Sequence, residues 1–236
     1  MRKARFYYLL RRGLLTGAAS FITEGLVMAS KFITQGLTFP AQGSAEFNGT
    51  SDFIQTDNPF SHTNHTIAAW VYVNNTGVGK MIFDNRDADN DGIRFLSKSD
   101  EGIIYSINAA DVNSSASYIN EWVYVVGTYD GTTQKLYIDG SLNASQAASQ
   151  TISTSTDATI GKEAFNNTAF FNGNLANVAI WNRALSSDEI NSVMWKPVQA
   201  LSATESNGLQ AWYSLDDIAS PTASLASMEQ LATDKD

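Results

Sequence analysis

The feature that most constrains this chain is a set of short segments that are apolar at nearly every position and closed by turn residues. Residues 66–74 read TIAAWVYVN, so as a strand Ile67, Ala69, Val71 and Val73 point one way, and Ala68, Trp70 and Tyr72 the other. A strand apolar on both faces belongs to a sheet covered on both sides, or to one whose concave face is lined by aromatics. Residues 122–129, WVYVVGTY, repeat the pattern, and QKLYID (134–139) and LANVAIW (175–181) follow. Asp130-Gly131 and Asp139-Gly140 are strong turn signals between them. From residue 44 onward the period is two, and the sum predicts an antiparallel sandwich or jelly roll.

One helix is predicted. Ser186 and Glu189 form a capping box, Ile190, Val193 and Met194 supply an apolar face, and Pro197 stops the helix. Residues 208–215, GLQAWYSL, read as a last strand, expected to pair near Ala45–Phe47. With 236 residues, one main all-β domain is expected, over 41–217. The absence of Cys removes disulfides and thiolate metal sites, so packing and strand pairing must hold the fold.

The net charge of −9 is unevenly spread. Residues 1–40 carry six basic groups (Arg2, Lys3, Arg5, Arg11, Arg12, Lys31) against Glu24 alone, a net +5, and the other 196 residues carry nine against 23, a net −14. A basic arm on an acidic body is expected to meet something anionic. Arg11-Arg12 followed by Gly13-Leu14-Leu15 has the outline of an export signal, but Glu24 interrupts the apolar run and no small-x-small cleavage site closes it. No run reaches the roughly 20 apolar residues of a membrane span. FITEGL at 21–26 recurs as FITQGL at 32–37. Residues 1–38 are therefore expected to contact other subunits of an assembly, and 218–236 to form a flexible or partner-bound tail.

Four segments resemble the concanavalin A-like, laminin-G-like jelly rolls. They are Ala45-Glu46-Phe47-Asn48-Gly49 with Asp52-Phe53-Ile54; residues 66–71; WVYVVGTYDGTTQKLYIDG at 122–140, the most specific; and residues 171–190, with Gly173, Leu175 and Trp181-Asn182-Arg183-Ala184-Leu185-Ser186. The resemblance covers about 44–195 and implies a non-catalytic binding or display domain. Tyr124 stands where the family usually has His, and Ala176 and Asn177 replace an acidic pair that in relatives often helps to hold calcium.

Asp87-Ala88-Asp89-Asn90-Asp91-Gly92 opens like an oxygen-ligand calcium loop. Lys98 stands where the closing Glu of an EF-hand belongs, so the expectation reduces to a simple loop site of Asp87, Asp89 and Asp91. Its alternative is a polar hairpin turn capped by Asx side chains. Glycoside hydrolysis needs two carboxylates about 5–10 Å apart. No such strand spacing occurs, since Asp100-Glu101 and Asp216-Asp217 are adjacent and would face opposite sides of a strand. His62 and His65 read as surface-loop residues. No Gly-rich phosphate cradle is present, and no nucleic acid is expected. Trp70, Trp122, Trp181 and Trp212 read as core and Trp195 as cover for a sandwich edge, leaving loops 85–91, 111–118 and 163–172 as ligand candidates. The expected function is a structural or adhesive component of a surface assembly, in its sharpest form a phage virion protein. The alternative is a secreted glycan-binding lectin-like module.

Overall fold

A computed structural model of the protein describes residues 43–59, 63–74, 79–98, 102–152 and 157–215. The arm at 1–40, the tail at 218–236, His62 and the two adjacent carboxylate pairs lie outside them. The strands are β1 (Ala45–Asn48), β2 (Ile54–Pro59), β3 (His65–Val73), β4 (Lys80–Asp84), β5 (Ile93–Lys98), β6 (Gly102–Ile107) and β7 (Ala110–Asn113). They continue as β8 (Trp122–Tyr129), β9 (Thr133–Ile138), β10 (Ser141–Ala147), β11 (Asp157–Ile160), β12 (Asn172–Trp181) and β13 (Leu209–Tyr213). Helix α1 (Ser187–Val193) and the single turn α2 (Ala203–Ser206) fall between the last two strands. One sheet runs β1-β12-β3-β8-β9-β10, with β13 also on β12, and the other runs β2-β11-β4-β5-β6-β7. This is the two-sheet antiparallel jelly roll that the alternation predicts.

The two faces of β3 divide as the alternation requires. Ile67, Ala69, Val71 and Val73 enter the core between the sheets, with Phe47, Phe83, Phe95, Tyr105, Val125 and Leu175. Gly127 in β8 is needed there, because a Cβ would stand 2.6 Å from the Tyr105 ring and 2.7 Å from Phe95. Ala68, Trp70 and Tyr72 face outward into a second core, formed where α1 and the following segment cover the seven-stranded sheet with Ile190, Val193, Met194, Trp195 and Leu201. The Trp70 Nε1–H donates to the Met194 carbonyl at 3.2 Å, and the Trp195 ring lies 5.3 Å from that of Trp70. Trp195 therefore covers a sheet face, not an edge. It sits just past the capped helix, which closes over that face.

The turns follow their side chains. Asp139 and Gly140 both have positive φ, as a two-residue hairpin turn matching strand twist requires. The Asp130 Oδ1 accepts from the amides of Thr132 and Thr133, holding the β8–β9 turn.

Three further expectations differ from the structure. His65 is not a loop residue: it opens β3, is fully buried, and its Nε2 meets the Tyr105 hydroxyl under the Tyr129 ring. A second helical turn, α2, exists, and its capping box of Ser202 and Glu205 was legible in the sequence. The last strand does not pair with β1. β13 lies on β12 at Val178–Trp181, while β1 lies on the same edge of β12 at Asn172–Leu175, so the two are end to end. They cannot pair because both occupy the one edge that β12 leaves free.

Candidate functional site

The two outer faces of the sandwich differ. That of the seven-stranded sheet is sealed by the second core. That of the six-stranded sheet carries a small apolar cluster, Met81, Leu96 and Ile104, against which Ala169 packs. Beside it runs a polar row set by register: Asp84 is opposite Arg94, Arg94 opposite Ser106, and Ser106 opposite Asp111. Side chains alternate along a strand, so paired residues across β4, β5, β6 and β7 share this face. Arg94 on β5 reaches over β6 to Asp111 on β7, its Nη2 lying 3.0 and 3.3 Å from the two carboxylate oxygens. The bridge passes over Ser106 and explains why an outward-facing serine has no exposed surface. The bridge itself stays partly open, with Arg94 22 % and Asp111 35 % exposed. Arg94 Nε and Ser106 Oγ have no hydrogen-bond partner within the protein.

One end of this face is rimmed by the 85–92 and 161–171 loops, and Arg86 ties them together. Its Nε and Nη2 donate to the two Asp84 oxygens at 3.0 and 2.8 Å. Nη2 also donates to Glu163 at 3.1 Å, Nη1 donates to Asn90 Oδ1 at 2.6 Å, and the guanidinium stands 5.5 Å from the Phe165 ring centre. Arg86 is 2 % exposed and Asp84 0 %. Burial pushes the Asp84 carboxyl up, and the hydrogen bonds and charge of Arg86 offset this only in part. Burial also opposes the Arg86 charge, but Asp84 and Glu163 outweigh it and raise the guanidinium further. Burial lowers the Lys162 ammonium against the pull of Asp84 and Glu163, and Lys162 stands 4.5 Å from the Phe53 ring centre. At the crest of the loop, Asn166, Asn167 and Thr168 are exposed.

The sequence-predicted site residues sit on the same rim. The Asp87 Oδ1 accepts from the amides of Asp89 and Asp91, both at 3.0 Å, and Asn90 takes a positive φ, so the loop is an Asx-capped hairpin turn. Asp89 is exposed, and Asp87 and Asp91 are half-buried. Among the described residues no group of three or more His, Cys, Asp or Glu is placed to hold a metal ion. Of the ligand-candidate loops, 85–91 and 163–172 are joined through Arg86. Of residues 111–118, Asp111–Asn113 belong to β7 and bring Asp111 to the open face, while the residues after them turn away, where Ser115 bonds Asn143. Asn177, at the place of the family's acidic pair, has a positive φ in the break between β1 and β13 and accepts from the Trp212 indole. The Arg94–Asp111 bridge escaped the sequence reading. A basic residue and an acid 17 positions apart carry no signal until the register of three strands is known.

These features define a jelly-roll sandwich with one sealed face and one partly open polar face. The chain belongs to the concanavalin A-like lectin/glucanases superfamily, whose laminin-G-like model matches residues 48–191. No curated protein matches the sequence. Among solved structures the fold is similar to a proposed carbohydrate-binding protein from Bacteroides ovatus ATCC 8483, at TM-score 0.60 and 16 % identity over 74 % of this chain. The match spans only 51 % of the length of that protein. It is also similar to a heptameric SAP-like pentraxin from Limulus polyphemus, at TM-score 0.55 and 15 % identity over 78 % of this chain and 97 % of that one. A third is the CBM40 of the Ruminococcus gnavus IT-sialidase, bound to α2,3-sialyllactose, at TM-score 0.51 and 12 % identity over 65 % of this chain and 99 % of that one. At such identities these likenesses speak for the fold alone.

Proposed function

We propose that the protein is a non-catalytic, lectin-like module that binds glycans on the outer face of its six-stranded sheet. The observation that carries this reading is the half-open Arg94–Asp111 bridge, on a face that receives no helix among the described residues. A sugar offers hydroxyl pairs that can accept from a guanidinium and donate to a carboxylate, and the Phe165–Thr168 rim adds an aromatic edge and amide groups. The carbohydrate-binding and sialyllactose-bound proteins of the same fold support the ligand class. The non-catalytic reading is supported by the use of the face's carboxylates: Asp84 and Asp111 are each paired with an arginine, whereas glycoside hydrolysis needs one carboxyl free to give a proton. A glycan array probed with the full chain tests the proposal. Retention of at least one glycan, weakened about tenfold or more in Arg94→Ala, is expected. An array with no bound glycan, or binding indifferent to Arg94, would remove it.

The narrower reading places this module on an extracellular surface or a virion, held by residues 1–38. Its support is the contrast between the +5 arm and the −14 remainder of the chain. Deleting 1–38 and measuring incorporation into particles or oligomers tests it, and unchanged assembly would reject it. No helix among the described residues is long and apolar enough to cross a membrane. The calcium reading of Asp87, Asp89 and Asp91 rests on the sequence pattern alone. Thermal melting with and without calcium tests it, and an unchanged curve removes it.

A further inference from the structure

We infer that the glycan taken by the Arg94–Asp111 bridge is uncharged and binds through two neighbouring hydroxyls, one accepting from Arg94 and the other donating to Asp111, an inference that rests on the glycan reading above and narrows it. The bridge uses little of what its members offer. Arg94 meets both Asp111 oxygens with Nη2 alone, at 3.0 and 3.3 Å. A guanidinium has five N–H donors and a carboxylate about four lone-pair positions. Arg94 Nε is buried without a partner, and so is the Oγ of Ser106 beneath it, on a residue that is 0 % exposed. Buried polar atoms without partners are a cost that the free protein carries. A sugar hydroxyl, at once donor and acceptor, can serve either of them. A carboxylate or sulfate has no proton to give, so it can use Arg94 but not Asp111.

The charge around the bridge selects against an anion. Asp111 stands at the point of contact, 35 % exposed. Asp84, the cross-strand neighbour of Arg94, is held by Arg86, and Glu163 shares that same arginine. The rim adds Asp87, Asp89 and Asp91, with Asp89 exposed. Residues 43–215 as a whole carry eight basic against 18 acidic groups, a net −10. An acidic sugar would have to expel Asp111 from Arg94 and then lie beside the displaced carboxylate, and like charges set together at an interface are costly. An uncharged diol joins the bridge without breaking it. Asp111 is therefore the residue that sets specificity, and it does so by excluding acidic glycans as much as by holding neutral ones.

An array of matched pairs tests this with the full chain, each glycan printed with and without its acidic group: sialylated and desialylated chains, sulfated chains and their parents, uronates and the corresponding hexoses. Retention of neutral members is expected, with their acidic counterparts held about tenfold less tightly or not at all. The retained neutral glycan then serves as the ligand for titration calorimetry. Asp111→Asn, which keeps the shape and removes the charge, should weaken it about tenfold or more with an unchanged far-UV spectrum, and Asp111→Glu should recover part of the loss. The unaltered protein should bind it with an affinity that changes less than about twofold between low salt and ~1 M NaCl, because an uncharged ligand brings no net charge to screen. Retention of acidic members alone, equal retention of both members of the pairs, tighter binding in Asp111→Asn, or an affinity that falls steeply with salt overturns the inference and leaves the glycan reading standing. A blank array removes both.

Discussion

At the residue scale, a few buried ionic groups hold the rim of the open face. Removing one member of a buried ion pair leaves the other charged and without its partner, which costs about 3–5 kcal/mol. Arg86→Ala should lose that much in urea denaturation, because it strips Asp84, Glu163 and Asn90 of their shared donor. Arg86→Lys should recover only part of the loss, since an ammonium cannot make the two-pronged contact. A loss under ~1 kcal/mol would show that the loops are held by other contacts. Glu205 gives the protein an acid limb. Burial alone would raise its carboxyl, but Lys196, Ser192 and Ser202 outweigh this and lower it to about 2, against an ordinary 4.5. A carboxyl lowered on folding stabilises fully above its unfolded value and loses that contribution as the pH falls through the folded one. Stability should therefore drop by up to ~3 kcal/mol between about pH 4.5 and 2, with a shallower slope in Glu205→Gln. Equal slopes for the two proteins would assign the acid limb to other carboxylates. The turn chemistry of Asp87 and Asp130 could be read from sequence because an Asx cap is local. The Arg86–Glu163 contact that ties Asp84 to Glu163 could not, because it joins positions 77 residues apart.

At the element scale, β3 shows what alternation can and cannot tell. The sorting of its side chains onto two faces follows from the sequence, and the structure has the same division. Which face needed an outside cover does not follow, because both are equally apolar. The answer lies in α1 and the residues after it, whose capping box was visible but whose destination was not. Trp195→Ala should cost about 3–5 kcal/mol, like other large-to-small changes at buried aromatics. It should also increase binding of a hydrophobic dye, because Trp70 loses its neighbour. An unchanged melting curve would mean that the helix does not seal the sheet. The pairing of the last strand is not legible in the sequence for a related reason. Periodicity assigns faces but not edges, and the edge of β12 is long enough to hold two strands in line.

At the scale of the whole molecule, that alignment makes the order of the strands nearly cyclic. Linking Leu215 to Gly43 through a few residues and opening the chain between Ala116 and Ser117, in an exposed turn, should give a protein with an unchanged far-UV spectrum. Its melting temperature should stay within a few degrees of that of the parent. Failure to fold would show that the free ends contribute to the sandwich in a way that the β12 edge does not reveal.

All five tryptophans, Trp70, Trp122, Trp181, Trp195 and Trp212, belong to the core outside the seven-stranded sheet, whereas the core between the sheets holds phenylalanines and tyrosines. Nature has thus given the molecule two intrinsic optical probes at separate addresses. Indole emission watches the helix cap come off, while far-ultraviolet ellipticity watches the strands. If the two signals part company during unfolding, the cap is a lid that can lift while the sandwich beneath it stays whole.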